Sequence, residues 1–247
     1  MPYGGNLLAM CAMRVGVVLA GGIGRRLGGP VPKQLLHLAG RPIIEHSIDA
    51  FEASGAVDEI LVVMAPDYVP EARKIVDERG YAQVTQVLAG GGERTESTAL
   101  ALAALGDAPD DTRVLLHDAV RPLVRPSVIA GCAAALDAYE AVAVAVPSAD
   151  TVVVVDGDVI VSTPDRATLR RQQTPQGFRL GTIRAAYARA QADPAFTATD
   201  DCGVVLRYLP DVPIHVVPGA EDNIKITHPG DLAIAEQLLR LRAQESA

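Results

Sequence analysis

Cysteine is scarce, with three in 247 residues (Cys11, Cys132 and Cys202), no C-x-x-C pair and no histidine at ligand spacing. That excludes a disulfide framework and a structural zinc site. All three read as small buried hydrophobes, and Cys202 beside Asp201 is poorly placed to ionise. No apolar run approaches the roughly 20 residues needed to span a bilayer, and the longest, Ala141 to Val146, reads as a strand. Basic residues are in deficit, 22 against 30 acidic for a net charge of -8. Neither nucleic-acid binding nor attachment to an anionic membrane is therefore expected, and any bound anion must be held by a local cluster. The opening MPYGGNLLAMCA has no basic leader region and no cleavage site. It reads as an N-terminal extension, residues 1–12, before one domain over 13–247, with Met1, Met10 or Met13 as the start, in a reducing, cytoplasmic setting. No repeat, heptad or low-complexity stretch is visible.

What is present is a strand and helix alternation in a chain that is 49% apolar, enough to bury a full core. β-rich runs fall at Arg14 to Ala20, Glu59 to Met64, Val84 to Leu88, Arg113 to His117, Ala141 to Val146 and Ile214 to Val217. Helical patterns lie between them: Ile44, Ile48 and Phe51 before Gly55, then Pro70 to Arg79, Thr95 to Leu105 and Pro126 to Tyr139. Further helices are expected near Gly181 to Ala192, Asp200 to Tyr208 and Pro229 to Arg242. This pattern predicts an α/β fold with a mainly parallel, Rossmann-like sheet and helices on both faces. Thr151 to Val155 and Val159 to Ser162 flank an Asp-Gly-Asp turn, which predicts a protruding β-hairpin arm within 148–170. A lone hairpin is marginal in water, so this one should pack against something, such as a second subunit.

The first strand runs into Leu19-Ala20-Gly21-Gly22-Ile23-Gly24-Arg25-Arg26-Leu27-Gly28, followed by Pro32-Lys33-Gln34. A glycine-rich loop after a first strand offers backbone N–H groups to phosphates. A dinucleotide fingerprint would need Gly or Ala at Leu27, and the Gly-Lys-Ser/Thr of a phosphate loop is missing. Arg25, Arg26 and Lys33 beside free amides suit a triphosphate.

These residues, with the motifs that follow in order, resemble the cytidylyltransferases that act on alditol phosphates, both the methylerythritol-phosphate and the ribitol-phosphate branches. The later motifs are Gly90 to Ser97 (GGGERTES), His117 to Pro122 (HDAVRP), Asp165-Arg166, Gln173 to Gln176 (QTPQ), Thr199-Asp200 and Asn223 to Thr227 (NIKIT). The resemblance runs from about Val15 to Leu239 and implies a fold of the nucleotide-diphospho-sugar transferase type. It places a CTP triphosphate on Gly22, Gly24, Arg26 and Lys33, and cytosine and ribose on Ala20, Gly21, Gly91, Gly92, Ser97, Asp118 and Ala119. Asp118, at a central strand end, is also the candidate Mg2+ ligand, with a helix cap as its alternative reading. The acceptor phosphate falls to Arg166, Thr174, Thr199 and Lys225, with Thr151 on the hairpin. Family members pair through the arm, which implies a homodimer whose Thr151 and Arg166 enter the partner's site.

The chemistry that the resemblance implies suits those residues. The acceptor phosphate is already ionised at neutral pH, so attack on the α-phosphorus of CTP needs no general base. Arg26 and Lys33 would stabilise the charge that builds in the transition state, with Arg166 and Lys225 aligning the nucleophile. His117 then has no proton to move and reads as a packed strand residue, while Arg121 reads equally as a structural ion-pair partner. Leu19 to Gly22, Val120 and Leu169 to Gln173 depart from the methylerythritol pattern. On those departures ribitol 5-phosphate is the expected acceptor, with 2-C-methyl-D-erythritol 4-phosphate as the alternative. A non-catalytic nucleotide-binding module and a sugar 1-phosphate transferase remain as the other classes.

Overall fold

The computed structural model describes residues 12–22 and 31–245. Gly24 and Arg26 lie outside these residues, as does nearly all of the N-terminal extension, so their expected roles have no structural counterpart here.

The chain runs β1 (Arg14–Ala20), β2 (His37–Leu38), β3 (Arg41–Pro42), α1 (Ile43–Ser54), β4 (Glu59–Met64), α2 (Val69–Arg79), β5 (Val84–Ala89) and α3 (Arg94–Ala104). It continues through β6 (Arg113–Asp118), α4 (Pro126–Ala135), β7 (Ala141–Pro147) and the hairpin β8 (Val154–Asp156) and β9 (Val159–Ser162). Then come β10 (Arg170–Arg179), α5 (Leu180–Gln191), α6 (Asp201–Tyr208), β11 (Ile214–Pro218) and α7 (Pro229–Glu245). Seven strands form one sheet in the order β11-β7-β10-β6-β1-β4-β5. All neighbours are parallel except β10, which is antiparallel to both β6 and β7.

Because side chains alternate across a strand, β1 feeds two cores. Val18 and Ala20 pack with Ile44, Ile48, Phe51 and Ile129 of α1 and α4, whereas Val15, Val17 and Leu19 pack with Leu102, Ile183 and Val205 of α3, α5 and α6. Gly16 lies so close beneath Phe51 that a Cβ there would sit 2.6 Å from the ring. The expected layers, and the expected hairpin, are therefore present. No helix among the described residues is long and apolar enough to cross a membrane.

Two local expectations need correction. Strand β10 is absent from the pattern reading, since Gln172-Gln173-Thr174-Pro175-Gln176 carries no apolar alternation; its polar side chains are instead satisfied by tertiary partners, and the pairing with β7 shifts register between Gln172 and Gln176. Helix α4 stops at Ala135, four residues short of Tyr139, because Asp137 and Ala138 tighten onto the carbonyls three residues back. The Asn223 to Thr227 segment is irregular chain, since β11 occupies the sheet edge beside β7, and Ile226 is buried with Leu38, Ile43 and Leu123. Ahead of α7, the Thr227 hydroxyl and backbone N–H both donate to Asp231.

Candidate functional site

After β1 the chain builds β4 and β5 on one side and then crosses back to place β6 on the other, so the sheet reverses direction at β1. The crevice beyond the carboxyl ends of such strands is where α/β sheets take ligands. Leu19 of β1 is in register with Asp118 of β6, which puts Ala20, Gly21 and Asp118 side by side at that edge. A cavity opens there, walled by Leu19 to Gly22, Lys33, Gln34, Arg94, Ser97, Asp118, Val120 and Lys225. Among the described residues, Lys33, Arg94 and Lys225 face it with Asp118 as the single acid, a local excess of positive charge in a chain of net charge -8.

Asp118 organises this cluster. One carboxylate oxygen takes Arg94 Nε at 2.9 Å, and the other takes Lys225 Nζ at 2.7 Å with Arg121 Nε at 4.0 Å. Burial alone would raise its pKa, but Arg94 and Lys225 outweigh burial and hold the carboxyl well below the usual range. Arg94 reaches back to the wholly buried Asp201 at 2.5 Å, and the two acids overcome its own burial to keep it firmly charged. Asp201 also accepts the Tyr187 hydroxyl at 2.7 Å. Lys33 Nζ donates to Ile226 O at 3.3 Å, which ties the residue to the Lys225 segment.

The glycine loop before α3 is turned inward more than expected. Gly91 N–H donates to Ser97 Oγ at 3.2 Å, and Gly92 and Glu93 N–H donate to Glu96 Oε2 at 2.7 and 3.2 Å, so these amides already serve the capping box of α3. Gly21 is required by proximity: a Cβ there would lie 2.5 Å from Ser97 Oγ. Ala119 is expected at the nucleotide but is fully buried with its backbone engaged by Leu19 O and the Ser47 hydroxyl, and its neighbour Val120 forms the cavity wall.

A second cavity adjoins the first through Lys225 and is lined by Arg121, Arg171, Gln172, Gln173, Glu221, Asn223 and Ile224. Of the residues assigned to the acceptor, only Lys225 reaches it. Thr174 is 3% exposed and forms part of neither wall. Thr199 is exposed beside Thr197 and Gly203, where its neighbour Asp200 caps α6 through Gly203 N–H at 2.8 Å. Thr151 and Arg166 are exposed on the hairpin arm, with Arg166 donating to Ala149 O at 3.3 Å.

Several lining residues escaped the sequence assignment. Arg94 and Gln34 line the first cavity, and Gln173 and Asn223 line the second. Arg94 carried a usable signal: a cation as the first residue of a helix opposes the helix dipole, so it needs carboxylates from elsewhere. The others had none, since amide side chains show their partners only once the chain is folded.

A family model described as IspD, 2-C-methyl-D-erythritol 4-phosphate cytidylyltransferase, matches residues 14–241. A 2-C-methyl-D-erythritol 4-phosphate cytidylyltransferase of Thermobifida fusca is 57% identical over 90% of this chain and 92% of that relative. A bifunctional ribulose 5-phosphate reductase/CDP-ribitol pyrophosphorylase of Haemophilus influenzae is 40% identical over 94% of this chain and 49% of its own length. The solved structure of a 4-diphosphocytidyl-2C-methyl-D-erythritol synthase from Anaerococcus prevotii superposes with a TM-score of 0.82 at 30% identity, covering 93% of this chain and 99% of that one.

Proposed function

The chain belongs to the 2-C-methyl-D-erythritol 4-phosphate cytidylyltransferase family, and from that premise we propose that it joins CMP from CTP to the phosphate of 2-C-methyl-D-erythritol 4-phosphate, releasing pyrophosphate. It is a nucleotidyltransferase of the cytidylyl-transferring kind. The observation that carries the proposal is the concentration of Lys33, Arg94 and Lys225 in one cavity at the β1 and β6 ends of an otherwise acidic chain, with Arg94 and Lys225 paired to Asp118. Two polyanions must meet there, and preorganised cations lower the cost of bringing them together.

The choice of acceptor reverses the expectation of ribitol 5-phosphate. The relative at 57% identity carries the methylerythritol name, against 40% for the CDP-ribitol enzyme. Of the departures that favoured ribitol, Leu19 to Gly22 and Val120 wall the nucleotide cavity and not the acceptor one, while Arg171, Gln172 and Gln173 line the acceptor cavity. In the proposed reaction the acceptor phosphate oxygen attacks the α-phosphorus in line while pyrophosphate leaves. Lys225, shared by both cavities, sits where it can hold the incoming phosphate, and Lys33 faces the nucleotide.

The donor set suits a magnesium ion that arrives with the nucleotide. The described residues hold no cluster of three metal-ligating side chains, and Asp118 is the one carboxylate at the cavity. Mg2+ accepts one carboxylate together with phosphate oxygens and water, and when bound it would neutralise charge on the phosphates. Asp118 would exchange Lys225 or Arg94 for it. Pyrophosphate release from CTP with each acceptor tests the reading: kcat/KM with 2-C-methyl-D-erythritol 4-phosphate should exceed that with ribitol 5-phosphate at least ~10-fold, or about 1.4 kcal/mol. Equal or better use of ribitol 5-phosphate would restore the other branch.

A further inference from the structure

Resting on the cytidylyl-transfer reading above, we propose that His117 and Thr174 are a positioning pair that fixes the junction of β6 and β10, with the threonine proton directed to His117 and not to the acceptor phosphate.

The argument starts from hydrogen-bond polarity. His117 is fully buried, and its Nε2 lies 3.2 Å from the Arg121 carbonyl, which can only accept. Nε2 therefore bears the imidazole proton, and Nδ1 is left as an acceptor. Thr174 Oγ1 sits 2.9 Å from Nδ1, so the hydroxyl donates there. Asp118 N–H donates to the same oxygen at 3.1 Å. One lone pair remains on the hydroxyl, and a phosphate dianion has only acceptors to offer it.

The bonds close into a ring. His117 reaches Arg121 O, Arg121 Nη1 donates to Asn223 O at 2.9 Å, Asn223 Nδ2 donates to Thr174 O at 3.0 Å, and Thr174 returns to His117. Arg121 and Asn223 line the acceptor cavity, while Asp118, attached through its N–H, lines the nucleotide cavity. The pair therefore sets the relative placement of both walls without touching either substrate. Breaking it should disturb the alignment of the two substrates, which appears in kcat.

Two measurements on the full-length enzyme decide this. Imidazole 15N–1H correlation spectra of the ligand-free protein should show His117 as the Nε2–H tautomer, with its Nδ1 resonance moving in Thr174→Val. A His117 protonated on Nδ1 would free the threonine proton and overturn the pair. In kinetics, Thr174→Val and His117→Phe should each lower kcat at least ~10-fold with acceptor KM changed less than ~3-fold, and the double variant should be no worse than the poorer single one. Thr174→Ser and His117→Asn, which keep a hydroxyl and an acceptor near Nδ1, should recover most of the rate. A Thr174→Val enzyme with full kcat and an acceptor KM raised ~10-fold would mean direct phosphate contact and overturn the proposal. The tautomer needs no turnover, so an enzyme inactive with every acceptor would sink the functional reading while the spectrum still judges the pair.

Discussion

Around Asp118 a single carboxylate holds three cations, and the remaining charge in the cavity belongs to Lys33. Lys33→Ala should leave folding nearly intact and lower kcat by about two to three orders of magnitude, the usual effect of removing one preorganised donor from a developing charge. Steady-state kinetics would check it, and an unchanged kcat with only a raised KM for CTP would remove Lys33 from the transition state. His117 gives a stability prediction of a different kind. Burial, opposed weakly by Asp118, lowers its pKa from 6.5 to about 4. The unfolded chain thus takes up the proton first, and stability that is level above pH 6.5 should fall as pH drops towards 4. The loss is on the order of 3 kcal/mol. Asp118, held below its unfolded value of 3.8, begins to add to the loss only at the acid end of that window. Urea midpoints across this range should fall less steeply for His117→Asn than for the parent chain, and parallel slopes would contradict the buried neutral imidazole.

Among the elements, the end of β1 and the start of α3 meet closely at the wall of the first cavity. A methyl at Gly21 meets Ser97 Oγ at 2.5 Å, and that oxygen also holds Gly91 N–H and Glu93 O. Gly21→Ala should raise KM for CTP ~10-fold or more with smaller loss of stability, and Gly21→Ala/Ser97→Ala should recover part of it by removing the colliding oxygen. No recovery would place the damage in the backbone. Strand β10 shows where pattern reading stops. Gln173 and Gln176 are buried at 6% and 2% exposure, yet they are polar and flank a proline, which argues against a central strand. They are tolerated because Gln173 bonds Ala220 and Asn223, while Gln176 bonds Asp200 and the Asp201 and Cys202 N–H groups. None of these partners is near in sequence.

For the molecule as a whole, the hairpin is the unsolved surface of the single chain. Val152 to Val155 and Val159 to Val161 are 39–65% exposed, a continuous apolar band on an arm of two short strands. Such a patch marks an interaction site, and we propose that a second copy of the chain covers it, bringing Thr151 and Arg166 to the partner's acceptor cavity. Sedimentation should give a dimer, and Val155→Asp/Ile160→Asp a monomer of lower activity. Mixing Lys33→Ala with Arg166→Ala should restore activity, because one site in each mixed dimer then receives both intact residues. Failure to regain activity after confirmed subunit exchange would refute the shared site.

Periodicity in the sequence was enough for the layers, for six of the seven strands of the main sheet and for the hairpin, because an apolar stripe repeats locally and needs only its own segment to be read. The motifs singled out Lys33, Asp118 and Lys225, and the fold brings all three to one cavity. Which groups those charges answer to was decided by the tertiary structure. Arg94 meets Asp201 across 107 positions, and Thr174 meets His117 across 57. Polar groups taken from water must find partners wherever the fold supplies them. Thr174 and Ala119, expected as ligand contacts, are buried with protein partners of their own, and no local pattern records it.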